Sequence, residues 1–535
     1  MKANNIIKTI SVTATAFLAV CCTDTWDEHY GAGNLTSDKS LLQLVEEAGD
    51  LHDFLSVLKK THVFVNNKPS KVTYADLLGS DQTFTVWAPK DGTFNVDSLL
   101  EECQTVKGDS MCGQHFIQNH IAHYITNNNS AEERTVMMLN DKYLDQEPGS
   151  FHGVPYAAGR ANEPAKNGVL HVLEREVPYV YNIYEGITTL PEYSSVGSFF
   201  KSYEKMELDE NSSIQSGIVD GMIIYSDSVM RRSNILFGQF GLINEEDSNF
   251  IMLQPSERVW NEAFAEACSH FNYGTVNKAD SLMRYWANIS LIRDLVYNRN
   301  YGCAHMADSV YSTSYNIYDE ERHHVFYKPL QPGGIFSSTY VVDSLECSNG
   351  VIYELGAWPF KPEQIYFFPV KTEGEIENMI TDYKDCTFNY RSAVADSISN
   401  GYLDIVPRTT SSNWTATFQV PDVLSGTYEI CLVILPKTAY NPNSRDFKPN
   451  KFKATIYYET EEGIQESYEF EDECVNDPYR VDTVSVGRFS IPVCSYAQSN
   501  SKVHLKVECS ISRRETQYSR EMYLDCLYFK PVNEE

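Results

Sequence analysis

Positive charge is scarce in this sequence relative to negative. Lys and Arg number 43 against 73 Asp and Glu in 535 residues, a formal net charge of -30. Phosphate recognition needs clustered cations, so the balance argues against a nucleic-acid partner and equally against docking on anionic lipid through a polybasic face. An acidic surface of this kind keeps a protein soluble without further purpose. Long hydrophobic runs are missing too: the apolar stretch from Ile10 to Val20 is too short to span a bilayer. Also absent are HExxH, GxSxG, a glycine-rich phosphate loop and any metal-type CxxC spacing. No enzyme class has a motif behind it, so the expectation is a non-enzymatic protein with no cofactor and no metal site.

Histidine and cysteine are present but do not assemble. His115, His120 and His123 share one helix-like stretch, and the last two could face the same way. A metal site needs two or three such ligands converging with a carboxylate, and a core-packed His120 with surface histidines beside it is the simpler expectation. Adjacent His323 and His324 face apart on any regular element. The 13 cysteines include Cys21 and Cys22 near the N-terminus, leaving an odd 11. Cys103 and Cys112 are spaced to close a short loop. Cys431 and Cys526 sit inside apolar strands and read as buried small hydrophobes, so few or no disulfides are expected.

Length and apolar content bound the architecture. A chain of 535 residues with 42% hydrophobic residues suggests roughly three domains of about 100 to 200 residues each. Thr83 to Phe94 (TFTVWAPKDGTF) reads as a strand that stops at Pro89 and turns into a helix, and Asn249 to Trp260 (NFIMLQPSERVW) repeats the plan at Pro255. In the first, Phe84, Val86 and Ala88 share one strand face and Trp87 the other, which predicts cover on both sides. In the second, Ser256 is a candidate N-cap for an amphipathic helix. Asn167 to Tyr179 and Asn349 to Pro362 close the two units; both open with Asn-Gly, a dipeptide suited to the centre of a hairpin turn, and run on as a strand.

This ordered set resembles the fasciclin domain: an opening helix, a "T-hydrophobic-F-A-P"-like strand leading into a helix, a central "hydrophobic-x-x-H-hydrophobic" segment and a closing "N-G-hydrophobic-hydrophobic-H-hydrophobic" strand. His120, within Phe116 to Tyr124, fits the central histidine and His171 the closing one. In the second copy Asp294 stands where the central histidine would be, and Tyr353 replaces the closing one. The resemblance covers roughly residues 38 to 370 and implies adhesion or interaction modules without catalytic centres. The Tyr311 to Phe326 stretch, rich in Tyr, His and acids, reads as a surface loop.

Beyond about residue 371 the pattern changes to short alternating strands broken by Gly, Pro and Asn, without helices between them, which reads as a β-sandwich. VLSGTYEICLVILP and YLDCLYFKPV are similar to strands of jelly-roll modules related to carbohydrate-binding domains. The expected fold is therefore two α+β fasciclin-like domains in tandem, followed by an all-β jelly-roll or β-sandwich domain. The segments are 1–22 signal and lipidation site, 23–37 acidic tether, 38–181 and 182–370 the fasciclin-like pair (the second divergent), and 371–535 the sandwich.

Lys2 and Lys8 ahead of the apolar stretch, and Cys21-Cys22 at its end, resemble a bacterial lipoprotein signal, in which a cysteine after small residues is diacylated. Cys21 has Leu18 three before it but bulky Val20 adjacent; Cys22, with Ala19 three before it and Cys21 adjacent, is the preferred lipidation site. Asp24, Asp27 and Glu28 around Trp26 resemble the export signal of surface lipoproteins of Gram-negative gut anaerobes. These resemblances imply an outer-membrane, lipid-anchored, cell-surface protein. Repeated Asp-Ser-apolar tripeptides, such as Asp97-Ser98-Leu99, are similar to the O-glycosylation signal of the same bacteria. Sugar rings stack on aromatic side chains, and the candidate platforms in the last domain are Trp414 and Tyr440. The functional expectation is glycan binding as an accessory subunit of a starch-utilisation-type uptake complex, with an outer-membrane transporter and its lid lipoprotein as partners; the alternative is an adhesin for host or neighbouring cells.

Overall fold

The computed structural model describes residues 37–65, 68–128, 132–211, 213–219, 222–299, 308–316, 319–392 and 401–532. Cys21, Cys22 and the whole signal lie outside the described residues, as does the tether apart from Ser37.

Residues 38 to 181 are organised on one strand. Phe84–Pro89 is buried at every position and pairs in parallel with Gly168–Leu173, from Phe84 opposite Gly168 to Pro89 opposite Leu173. Ile121–His123 and Glu163–Ala165 flank this pair. Alternation along the strand separates two cores. Phe84, Val86 and Ala88 pack with Leu41, Phe54, Leu58 and Ile117 on the helical side, while Trp87 packs with Phe151, Val154 and Leu173 under a second four-stranded sheet. Trp87 stacks on Phe151 at 4.2 Å.

The second unit has the same wiring. Phe250–Pro255 pairs in parallel with Gly350–Leu355, with Val296–Asn298 and Val341–Cys347 on the flanks. Glu257–His270 begins directly after Ser256, whose side chain makes no capping bond. The sheet extends to six strands because Ser309–Asn316 and Asp319–Tyr327 form a hairpin beyond Val296–Asn298. The expected loop at Tyr311 to Phe326 is thus corrected to strands: aromatic and β-branched residues are frequent there, and Val310 and Phe326 are buried in the core.

Asn-Gly does a different job from the one expected. The tight turns are Lys166-Asn167 and Ser348-Asn349, and each glycine is already a paired strand residue, opposite Ala165 and Cys347. Asn167 is buried, accepts from the Leu41 N–H (2.8 Å) and donates to the carbonyls of Leu78 and Ser80. Asn349 repeats this with the Ile183 N–H (2.8 Å) and the carbonyls of Ile243 and Glu245. Each closing turn therefore satisfies an orphan donor at the start of its own unit's opening helix. The glycines are required for another reason: φ is +153° at Gly168 and +146° at Gly350, and a Cβ there would lie 1.9 Å from the carbonyl oxygen of Phe84 or Phe250.

Residues 370 to 531 form two six-stranded antiparallel sheets. In one, Gly426–Leu435 and Met522–Pro531 are central; in the other, Lys451–Glu459 and His504–Cys509. Leu403, Leu432 and Leu524 face Phe418, Leu505 and Val507 across the interior. That interior continues into the second unit without a break. Tyr496 packs edge-on against Trp286 and Phe271 and accepts from the Tyr273 hydroxyl through its carbonyl (3.1 Å), and His270 packs on Phe367 at 4.3 Å.

A smaller junction joins the first and second units. Lys142, 2% exposed, donates to Glu185 and Glu246 at 2.7 Å each and to the Ser348 hydroxyl at 3.1 Å. Its ammonium also lies 5.0 Å from the centre of the Tyr179 ring, on which His115 stacks.

Candidate ligand-binding site at one end of the sandwich

Strand alternation turns Tyr402 and Asp404 of Gly401–Pro407, with Tyr523 of Met522–Pro531, away from the shared interior, which takes Leu403, Ile405 and Leu524 instead. The loop after Gly426–Leu435 folds over them. Its Ala439 packs with Tyr402, Leu435 and Tyr523, and its Lys437 ammonium sits 4.3 Å from the Tyr523 ring centre. Arg391 donates to Asp404 at 2.8 Å and lies 4.2 Å from the ring centre of Tyr440, which remains 51% exposed. Burial pushes the Tyr402 and Tyr523 hydroxyls up, so both stay protonated donors at neutral pH.

Beyond this face lies an open groove of about 710 Å³ between the 407–411, 448 and 513–521 segments. Lys448 and Glu521 also line a small depression that reaches Tyr523. Glu515 is held down to about 2 by Lys451, which donates to it at 2.8 Å, and by the Ser512 N–H. Glu521 is paired with Lys437. Next to Lys448, Phe447 stacks on Tyr479 at 4.8 Å, and both rings are exposed.

The two residues expected to form a sugar platform part company. Tyr440 is exposed on the outer face of the sheet, against Arg391 and Tyr523. Trp414 is 1% exposed, lies in the shared core and donates its indole N–H to the Arg520 carbonyl (2.6 Å), so it offers no face to a ligand. Its aromatic character gave no hint of this, because an edge residue of an amphipathic strand and a loop platform have the same composition. The groove cations Lys448 and Arg513 were not singled out by sequence reasoning, since acids of neighbouring sequence hide them until the pairing in space is known.

The histidines do not converge. His120 is fully buried, donates from Nδ1 to the Phe116 carbonyl (2.7 Å) and accepts the Val177 N–H at Nε2 (2.9 Å), while His123 lies exposed on the next strand. Burial drops His120 and His171 to about 4. Asp294 is buried, and both its oxygens lie 2.8 Å from Nδ1 of His324, so the second unit pairs two side chains where the first uses one. Among the described residues, Glu373, Asp525 and Cys526 bring ligand-type atoms within 4.8 Å of one another. Lys371 already serves them, 2.8 Å from Glu373 and 3.8 Å from Asp525, and burial raises the Cys526 thiol away from the thiolate a metal would need.

No protein-family model matches the chain, and a search of curated proteins finds no match either. Solved structures give matches. The CBM22-1 xylan-binding domain from Paenibacillus barcinonensis Xyn10C matches at TM-score 0.22 and 13% identity, covering 32% of this chain and 96% of that one. A family 35 carbohydrate binding module from Clostridium thermocellum matches at TM-score 0.19 and 11% identity, covering 31% and 99%. The CBM22-1-GH10 modules of the Clostridium thermocellum xylanase Xyn10B, complexed with xylohexaose, match at TM-score 0.21 and 11% identity over 31% of this chain; only 28% of that chain is spanned.

Proposed function

We propose that this protein works by binding glycan at the groove end of its C-terminal sandwich. The observation behind the reading is Tyr440: a half-exposed ring, held in place by the Arg391 guanidinium against one of its faces, and edge-on to Tyr523 (6.5 Å), which borders the depression shared with Lys448 and Glu521. Stacking on a sugar ring needs an aromatic face that loses little freedom on binding, and a ring already fixed from behind meets that need. The reading extends the sequence-based expectation of a lipid-anchored surface protein with two fasciclin-like units. In that setting it is an accessory subunit beside an outer-membrane glycan transporter and its lid lipoprotein.

Affinity electrophoresis of the whole protein through gels containing single polysaccharides tests the binding step. Retardation that Tyr440→Ala reduces about tenfold, roughly 1.4 kcal/mol, is the expected outcome. Migration unchanged by every polysaccharide would end the reading. A mild-detergent pull-down from native membranes tests the assembly: transporter and lid lipoprotein should come down in stoichiometric amount, and recovery of the protein alone would shift the weight to adhesion.

A further inference from the structure

In a chain with a net charge of -30, the three segments that line the groove run the other way. Segments 407–414, 436–450 and 510–521 together hold seven Lys and Arg against three Asp and Glu. Pairing sharpens the excess. The two groove carboxylates, Glu515 and Glu521, are engaged by Lys451 and Lys437. Arg520 is taken up internally, donating to the carbonyls of Ile511 and Ser512 and to the Asn413 side chain. Of the three cations that line the groove, Lys448 and Arg513 remain: both are exposed, and neither has an acidic partner among the described residues.

We propose that this groove takes an acidic glycan, a chain bearing uronate carboxylates or sulfate esters, in preference to a neutral one. The inference rests on the glycan-binding reading above and adds the charge of the ligand to it. The acidity of the rest of the molecule does not oppose it at close range. At physiological ionic strength charges more than about 8 Å away are largely screened, and the two carboxylates in the groove are neutralised by Lys451 and Lys437, so an anion seated there feels Lys448 and Arg513 first. Tyr518, on the groove wall, would then supply apolar contact for a ring face, and the two cations would select for charge.

The test uses the whole protein in mild detergent, with polygalacturonate and heparin as acidic probes, pullulan and dextran as neutral ones, and a single-stranded oligonucleotide as a polyanion without sugar-ring faces to stack. Polygalacturonate or heparin should bind at least about tenfold tighter than either neutral glycan, lose about tenfold between 0.1 and 1 M salt, and lose about as much in the double variant Lys448→Glu, Arg513→Glu. Both positions are exposed, so the melting temperature of the variant should match the parent and exclude misfolding as the cause. Equal binding of neutral glycans, insensitive to salt and to the variant, would overturn the charge preference while leaving glycan binding standing. Equal binding of the oligonucleotide would reduce the site to a generic polyanion patch and overturn the proposal. No binding of any glycan would remove the underlying reading itself.

Discussion

His120 and His171 are held neutral by burial, at about 4 against an ordinary 6.5. Between those values the unfolded chain binds protons that the folded chain refuses, so stability rises with pH through this window and is lost as pH falls from 6.5 toward 4. Each residue contributes on the order of 3 kcal/mol to that loss. Thermal melts from pH 7 to 4 should show it, and His120→Gln with His171→Gln should flatten the profile while lowering the plateau. A flat profile in the parent would mean that both histidines titrate normally. Trp414 and Tyr440 make the opposite kind of pair: Trp414→Ala opens the shared core and is expected to cost roughly 3–5 kcal/mol, whereas Tyr440→Ala should leave stability within about 0.5 kcal/mol. Chemical denaturation distinguishes the two.

At the scale of elements, the two asparagines in the closing turns tie each unit's end to its beginning. Replacing Asn349 by Ala leaves the Ile183 N–H and the carbonyls of Ile243 and Glu245 without their partner, at about 1–3 kcal/mol. Hydrogen exchange should speed up at Ile183–Thr189 before it does so in the sandwich; uniform acceleration would contradict a local anchoring role. The strands that carry these turns were legible because their pattern is local: apolar residues run up to Pro89 and Pro255, and Asn-Gly restarts the chain. The role of the asparagines was not legible, since their partners lie 126 and 166 residues away. Ser309–Asn316 and Asp319–Tyr327 were misread for a related reason. Their polar sequence resembles a loop until His324 is seen buried against Asp294. At the groove end, Tyr440 could be picked out as an aromatic in a loop, but the spare charge on Lys448 and Arg513 exists only after Glu515 and Glu521 have been assigned to other lysines.

For the whole molecule, the junction of the first two units depends on one buried cation between two carboxylates. Lys142→Met would leave Glu185 and Glu246 facing each other in a poorly hydrated site, and a cost of about 3–5 kcal/mol is expected. The units should then separate: limited proteolysis is expected to cut between residues 174 and 182 in the variant and to spare the parent. Adding Glu246→Gln should recover part of the loss, because one buried charge is removed. If the single variant remains as resistant as the parent, packing rather than charge joins the units.

The continuous interior between the second unit and the sandwich also bears on inheritance. A segment exchanged between genes must carry its own core, and this sandwich cannot leave at residue 371 without stripping Phe271, Tyr273 and Trp286 from Tyr496. The smallest cassette that could be shuffled into another protein therefore begins before Phe250 and includes the whole second unit.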